Sequence, residues 1–154
     1  MIQYKCKKCG GDMESPGSLI GKMETCPHCR RRQIVPDPDA LSVRQIHTKA
    51  VGVTYANDDG TSRQQLLRQI AKNPQNVNVS LKREPRNRFD SNAVAIQANG
   101  HVIGHLSREL AADIAPIIDA GGDAFATAIA LTGGETLGMN ISIQVEQKSQ
   151  AQRM

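Results

Sequence analysis

Four cysteines, all within the first 29 residues, are the most distinctive chemical groups of this 154-residue sequence. They form two Cys-x-x-Cys pairs, Cys6 with Cys9 and Cys26 with Cys29, and sixteen residues separate the pairs. A Cys-x-x-Cys turn directs two sulfur atoms toward one point, and two such turns supply the four thiolates of a tetrahedral zinc site. The spacing therefore predicts one Zn²⁺ ion held by these four side chains.

Three other interpretations compete with a metal site. Two disulfides would require a secreted chain, but the start of the sequence lacks the apolar stretch of a secretory leader, so we expect a cytoplasmic protein with reduced thiols. A redox-active Cys-x-x-Cys usually begins a helix, which the glycine-rich context does not favour. His28 is a third candidate ligand, but it lies inside the second pair, where we expect its side chain to point outward.

The elements that must position these cysteines are small. The stretch 12–25 contains glycines and a proline but few large apolar residues, so the metal must supply most of the cohesion. Cys-x-x-Cys-Gly-Gly and Cys-Pro-x-Cys resemble the two knuckles of zinc ribbons, which bind nucleic acid, bind protein or brace a neighbouring domain. We predict a zinc ribbon at 1–35, a proline-rich linker at 36–42, a second domain at 43–147 and a polar tail at 148–154.

The second domain is expected to be mainly β. Alternating apolar residues predict strands at 43–55, 77–81, 93–96, 101–104, 125–131 and 139–145. Asn99-Gly100 predicts a tight hairpin, and Ser62 and Ser107 are expected to cap two short helices. Six strands and two helices in about a hundred residues favour a small α+β domain built on an OB-like or partial β-barrel.

Charge and composition narrow the possible partners. The net charge of +4 weakly favours polyanions, and basic residues cluster at 30–32 and 82–88, although each cluster alone is also compatible with a solvated face. Aromatic residues make up only 3% of the chain, so we expect an aliphatic core, with Phe89 included in it. No apolar run approaches the roughly 20 residues that cross a bilayer, and we predict no membrane association.

Two segments of the second domain resemble a known family. The stretch from Val79 to Val94 contains an arginine–acid–proline step, an asparagine, a Phe-Asp pair and Asn-Ala-Val, and Gly104-His105-Leu106 follows. These features resemble the HIRAN domain. The resemblance implies an OB-like barrel that grips single-stranded DNA at its 3′-terminal nucleotide, and it occurs both in standalone proteins and fused to helicase-type motors and nucleases.

A pocket for a terminal nucleotide needs a carboxylate for the hydroxyl, cations or amides for phosphate and a ring for the base. The resemblance places Asp90 at the 3′-hydroxyl and Tyr55 at the stacking position, with phosphate or base contacts from Asn87, His105 and Arg108. Neighbouring cations complete the predicted nucleic-acid-binding set, which is Tyr55, Arg83, Asn87, Arg88, Asp90, His105 and Arg108.

Each of these side chains also has a structural alternative. Asp90 is equally suited to an Asx-turn with Asn92 and to an ion pair with Arg83. His105 is a lone histidine at a strand end, and the Tyr55 ring fits either a rim or a core position.

The function favoured by these patterns is a zinc-containing module that binds single-stranded DNA or DNA 3′ ends in DNA repair or processing, with a helicase or nuclease as a possible protein partner. The alternative is a protein-binding adaptor, or an accessory module of a nucleic-acid-processing complex. An enzyme is the least favoured reading, because the sequence contains no P-loop and no arrangement of nucleophile, histidine and acid.

Overall fold

The computed structural model describes residues 1–148 and 151–153, and it separates the chain into two compact units. The first unit comprises Met1–Ser42 and Gln147–Met154, and the second comprises Val43–Glu146. No helix among the described residues is long and apolar enough to span a bilayer.

Two β-hairpins and a terminal strand build the first unit. Its strands are β1 (Ile2–Lys5), β2 (Asp12–Ser15), β3 (Met23–Thr25), β4 (Arg32–Ile34) and β11 (Gln152–Arg153). β1 pairs with β2, β3 pairs with β4, and each hairpin encloses one Cys-x-x-Cys pair in its loop. β11 adds to the other edge of β1, with Ile2 opposite Arg153, so the segment that we predicted as a polar tail contributes a strand to this unit.

Few side chains form the core of the first unit. Ile2, Met13, Val35 and Ala151 are buried together with Tyr4, whose hydroxyl lies 2.8 Å from Ser15 Oγ. Such a core is too small to stabilise two hairpins by apolar burial alone.

The second unit contains six strands and two helices, the numbers predicted. The strands are β5 (Leu41–Lys49), β6 (Val79–Arg83), β7 (Val94–Ala98), β8 (His101–His105), β9 (Asp123–Thr132) and β10 (Gly138–Lys148), and the helices are α1 (Arg63–Lys72) and α2 (Arg108–Asp119). They form two three-stranded sheets of order β6-β7-β8 and β5-β10-β9. A mainly-β domain is thus confirmed, whereas the described strands form no closed sheet and the OB-like barrel stays a prediction.

Local sequence signals explain most of these boundaries. Asn99 and Gly100 both have positive φ, 51° and 86°, which is the backbone of the predicted tight turn between β7 and β8. The hydroxyls of Ser62 and Ser107 accept from the amides of Gln65 and Leu110 and so cap the two helices.

One predicted strand is shorter than expected. β5 ends at Lys49 instead of continuing to Tyr55. The Ala50 amide still donates to the Met139 carbonyl of β10, but Val51 pairs with β8, exchanging backbone hydrogen bonds of 2.8 and 2.9 Å with His105. Gly52 then has a left-handed φ of 71° that a strand does not allow.

Aliphatic side chains from both sheets and both helices form the core of the second unit, as predicted. Leu67, Ile96, Ile103, Ile114 and Ile141 are fully buried within it, and burying each such side chain contributes about 1.5–3 kcal/mol. No aromatic residue belongs to the buried cluster among the described residues.

Gly104 allows β8 to approach the Val51 segment closely. A Cβ at Gly104 would lie 2.8 Å from the Val51 carbonyl oxygen and 3.1 Å from Ala50 Cβ. We therefore expect Gly104→Ala to lower the free energy of unfolding by about 1–3 kcal/mol. Urea denaturation measures this loss. Gly134→Ala, where a Cβ meets nothing within 4 Å, is the control, and equal losses in the two variants would contradict the close-approach argument.

Candidate nucleic-acid interface and metal centre

The four cysteine sulfurs of the first unit converge on one point. All lie within 4.8 Å of one another, and the Sγ atoms are separated by 3.6 Å for Cys6 and Cys29 and by 3.7 Å for Cys9 and Cys26. Sulfurs bound tetrahedrally to zinc at 2.3 Å would be separated by about 3.8 Å. The spacing of these four thiols therefore fits a single zinc ion.

Backbone amides surround the sulfurs and favour their charged form. The amides of Lys8, Gly11 and His28 each donate to a cysteine sulfur at 3.4 Å. Hydrogen bonds from the Cys9 and Lys8 amides lower the pKa of the Cys6 thiol to about 6 despite its partial desolvation.

Crowding of the four thiols raises the pKa of one of them, Cys9. The Gly11 amide lowers the pKa of Cys9, but desolvation and the three neighbouring thiols outweigh it and raise this pKa to about 11. A cation at the centre is needed to keep all four groups as thiolates at neutral pH. Four converging thiols are therefore a donor set that could hold a metal ion.

In the second unit, a loop between β6 and β7 carries most of the predicted nucleic-acid-binding residues. Pro85 occupies the second position of a turn in which the Asn87 amide donates to the Glu84 carbonyl at 3.1 Å. The Asn87 side-chain oxygen then accepts from the amides of Phe89 and Asp90, at 2.9 and 3.2 Å. Asn87 thus fixes the loop from inside.

Asp90 forms the predicted Asx-turn. Its Oδ1 accepts from the Asn92 amide at 2.9 Å, and its carbonyl accepts from the Ala93 amide at 3.1 Å. The residue is half-buried, and its second carboxylate oxygen has no hydrogen-bond partner among residues 1–148 and 151–153. One oxygen therefore holds the loop while the other stays available.

A cleft of about 460 Å³ lies beside Asp90. The residues that line it are Asn87, Arg88, Phe89, Asp90, Ser91, Asn92, Arg108 and Ala112. The side chains of Arg88 and Arg108 are exposed, and no carboxylate of the described chain forms an ion pair with either. The cleft thus combines a carboxylate, two free guanidinium groups and amide groups.

Phe89 stands at the rim of this cleft, and our prediction that it belongs to the core is wrong. Its side chain is 82% exposed, and the Arg88 guanidinium carbon lies 5.7 Å from the ring centroid. The reason is local: Asn87 binds the Phe89 amide, and the turn that results directs the ring away from the sheet. An exposed ring next to free cations is suited to stacking on a base.

The other predicted site residues lie outside this cleft lining. Arg83 pairs with Asp119 at 3.0 Å and donates to the Ala93 carbonyl at 3.1 Å, so the alternative ion pair with Asp90 is wrong. Tyr55 is 68% exposed and its ring rests against Gly52. The rim alternative for Tyr55 thus agrees with the structure, and the core alternative does not.

His105 is connected to the loop through Glu84, which we did not predict as a site residue. Its Nε2 lies 2.6 Å from Glu84 Oε1, and the Asn87 side-chain amide donates to the same carboxylate oxygen at 3.2 Å. Burial raises the pKa of Glu84, but these two hydrogen bonds outweigh it and hold the pKa below its usual value. Glu84 thus joins β8 to the loop. Its position directly before Pro85, at the start of the loop, is the sequence feature that could have identified it.

The lowered pKa of Glu84 predicts a pH-dependent contribution to stability. Because the folded pKa lies below the unfolded value of about 4.3, the contribution is complete above that value and is lost as the pH falls through the folded pKa. At pH 7, Glu84→Gln should cost about 1 kcal/mol, a value reduced for partial solvent screening. The cost should shrink below about pH 4.

Urea denaturation at neutral and acidic pH measures this change in cost. Glu135→Gln is the matched control, since Glu135 is exposed and carries no ion pair in the described part of the chain. A Glu84→Gln cost that is the same at both pH values would contradict the role assigned to this carboxylate.

Comparisons with known proteins found relatives in sequence and in structure. Over 103 residues, 60% of this chain, the sequence is 32% identical to mouse helicase-like transcription factor, and the matched segment spans only 9% of that protein. A crystal structure of the HIRAN domain of human HLTF shares 23% identity with a TM-score of 0.49, covering 70% of this chain and 80% of that one.

A second solved structure supports the fold alone. A Lactobacillus plantarum protein superimposes with a TM-score of 0.52 at 17% identity, covering 70% of this chain and 99% of its own. The sequence model of the HIRAN domain matches residues 43–148, which is more than half of the chain. The protein belongs to the HIRAN domain family.

Proposed function

We propose that this protein is a nucleic-acid-binding module without catalytic activity, and that it binds single-stranded DNA, with the 3′ end in the cleft beside Asp90. The observation that carries the proposal is the carboxylate itself. One oxygen of Asp90 is used by its own loop, and Asp90 lines a cleft together with two arginines that have no ion-pair partner among the described residues. A carboxylate in such a position accepts a hydrogen bond from a sugar hydroxyl while the arginines neutralise the adjacent phosphate.

The remaining side chains divide into contacts and supports. Arg88 and Arg108 bind phosphate oxygens, and the exposed Phe89 ring offers a stacking surface for a base. Arg108 is also the first residue of α2, where the helix dipole adds positive potential. Arg83 supports the end of the loop through its hydrogen bond to the Ala93 carbonyl and is itself paired with Asp119, and His105 reaches the loop through Glu84.

Tyr55, the predicted stacking residue, lies outside the cleft lining. Its exposed ring is close to Gly52, and Val51 pairs with His105. We assign it to a base further along the strand. A DNA strand that passes from the cleft over β8 toward Tyr55 would lie on or near every predicted site residue except Arg83.

We further propose that the first unit holds one Zn²⁺ ion through Cys6, Cys9, Cys26 and Cys29. The sulfur separations and the amide hydrogen bonds support this metal over a cation that prefers oxygen ligands. Zinc bound by four thiolates has no open position for substrate, so its role would be structural. It would replace the apolar core that the ribbon lacks.

The zinc proposal predicts a defined metal content. The purified chain should contain about one zinc ion per molecule, and Cys26→Ser, which changes the most buried thiol, should lose most of it and unfold the ribbon. Elemental analysis measures the metal, and circular dichroism reports the ribbon. Ser15→Ala, which changes a buried hydroxyl of the same unit, is the control, and full zinc content in Cys26→Ser would contradict the assignment.

Asp90→Asn isolates the role of the free carboxylate oxygen. The asparagine keeps the Oδ1 that accepts from the Asn92 amide, so the loop is preserved, but its amide nitrogen cannot accept a bond from a hydroxyl. We expect the wild type to prefer a 3′-hydroxyl over a 3′-phosphate end about tenfold or more, and the variant to lose this preference.

Fluorescence anisotropy with short single strands, blocked or unblocked at the 3′ end, measures this preference. Asp113→Asn is the control, because Asp113 pairs with Arg44 outside the cleft lining. A variant that retains the full preference for the hydroxyl would remove Asp90 from the site. Incubation of labelled DNA with magnesium or manganese tests the absence of catalysis, which cleavage in proportion to protein would refute.

A protein-binding adaptor is the second candidate. Phe125 and Ile129 of β9 are 54% and 53% exposed, which gives the second unit an apolar strip that a protein could cover. A stoichiometric partner that copurifies after nuclease treatment would favour this function. Under the main proposal, a helicase or nuclease of DNA repair or processing would associate through DNA, and nuclease treatment would release it.

A further inference from the structure

The two cysteine knuckles of the first unit repeat the same backbone pattern. In the first knuckle, the Gly10 amide donates to the Cys6 carbonyl and the Cys6 amide donates to the Gly11 carbonyl, both at 2.9 Å. In the second knuckle, Arg30 and Arg31 take the places of these glycines, with hydrogen bonds to Cys26 of the same lengths. The residues at 10 and 30 are therefore structural equivalents.

This equivalence makes the arginine at position 30 unusual. Gly10 has a φ of 73°, and Arg30 has a φ of 64° in the same left-handed region. A residue with a β-carbon is disfavoured in that conformation, and arginine lacks the short polar side chain that makes asparagine or aspartate tolerable there. Glycine would fit this backbone at lower conformational cost, so the backbone of the second knuckle does not explain an arginine at position 30.

The surroundings of Arg30 are strongly cationic. Five cationic side chains of the knuckles and of the adjoining start of β4 are exposed, and we call them the knuckle patch: Lys7, Lys8, Arg30, Arg31 and Arg32. In the described part of the chain none of them forms an ion pair, and the pairs of this unit are Lys5–Asp12 and Arg153–Asp39. The patch therefore carries five positive charges without a carboxylate to neutralise them.

Contacts between the knuckles bring most of the charges of the patch together. The Sγ atoms of Cys6 and Cys29 are 3.6 Å apart and those of Cys9 and Cys26 are 3.7 Å apart, so the two loops that carry Lys7, Lys8, Arg30 and Arg31 are adjacent. The Lys7 amide also donates to the side-chain oxygen of Gln33 at 3.2 Å, so the first knuckle contacts the face of β4 that carries Gln33. Glu24, opposite Gln33, shares that face but forms no ion pair with the patch in the described part of the chain, and Arg32 lies on the other face because neighbours in a strand alternate.

We propose that the knuckle patch is a second nucleic-acid contact, which binds the phosphodiester backbone without reading bases. Three guanidinium groups suit bidentate binding of phosphate oxygens, and none of the five residues is aromatic, so no base is stacked. This inference takes the nucleic acid of the proposed function as its ligand, but it concerns a different unit of the chain and different residues.

Arg30→Gly is the sharpest test, because the substitution removes the charge and also relieves the left-handed backbone. Binding of a labelled oligothymidine of about 20 nucleotides is measured by anisotropy from about 50 to 200 mM NaCl, with the zinc-loaded full chain. We expect the affinity to fall about three- to tenfold and the slope of log affinity against log salt to decrease by about 0.7, with thermal stability and zinc content unchanged or higher.

Lys22→Gln is the matched control, since Lys22 is an exposed, unpaired cation of the same unit that precedes β3 at the end of the hairpin away from the knuckle. Its effect on the salt slope should be smaller than that of Arg30→Gly. The double variant Arg31→Gln/Arg32→Gln should reproduce the loss without altering the backbone at position 30.

Several outcomes would overturn the inference. They are an unchanged salt slope in Arg30→Gly and in the double variant, a slope reduced equally in Lys22→Gln, or a loss of zinc in Arg30→Gly, which would assign the arginine to the metal site instead. If these variants bind like the wild type while Asp90→Asn loses its end preference, the inference fails and the proposed function stands. If no variant or wild type binds DNA, the proposed function itself fails.

Discussion

The Asn87 side-chain oxygen accepts hydrogen bonds from two backbone amides of its own loop, and the geometry of the cleft depends on these two bonds. The segment between β6 and β7 leaves the sheet, so its backbone groups need partners other than a neighbouring strand. Asn87 and Asp90 supply them from their side chains. Phe89 is exposed, and Asp90 lines the cleft together with Arg108, so the loop's structural requirement and its proposed chemistry are met by the same residues.

Much of the architecture follows from signals that act over a few residues. The Asn99-Gly100 turn and the caps at Ser62 and Ser107 depend only on local backbone preferences, and each is present where the sequence predicts it. The direction of the two sulfurs within each Cys-x-x-Cys turn is local in the same sense, whereas the convergence of the two pairs joins Cys6 to Cys29, 23 positions away. The sheet arrangement is different, since the strand pattern does not determine whether six strands close into one barrel or form two sheets.

The features that the sequence did not predict depend on tertiary contacts. The Arg83–Asp119 pair joins residues 36 positions apart, and no spacing rule selects Asp119 over the nearer Asp90. Glu84 gains its role only when β8 brings His105 to 2.6 Å from it. Phe89 was assigned to the core on residue type, whereas its exposure follows from the hydrogen bond that Asn87 makes to its amide. The left-handed backbone of Arg30 likewise becomes visible only in the folded knuckle.

We propose that the Asp90 carboxylate serves both its own loop and a DNA end. The most direct measurement is a titration of the isotope-labelled protein with a short single strand bearing a free 3′-hydroxyl, followed by amide NMR. The predicted result is a set of shifts concentrated at Asn87, Phe89, Asp90, Asn92 and Arg108, which decreases when the 3′ end is blocked. Shifts that leave these amides unchanged, at DNA concentrations that saturate binding, would contradict the account.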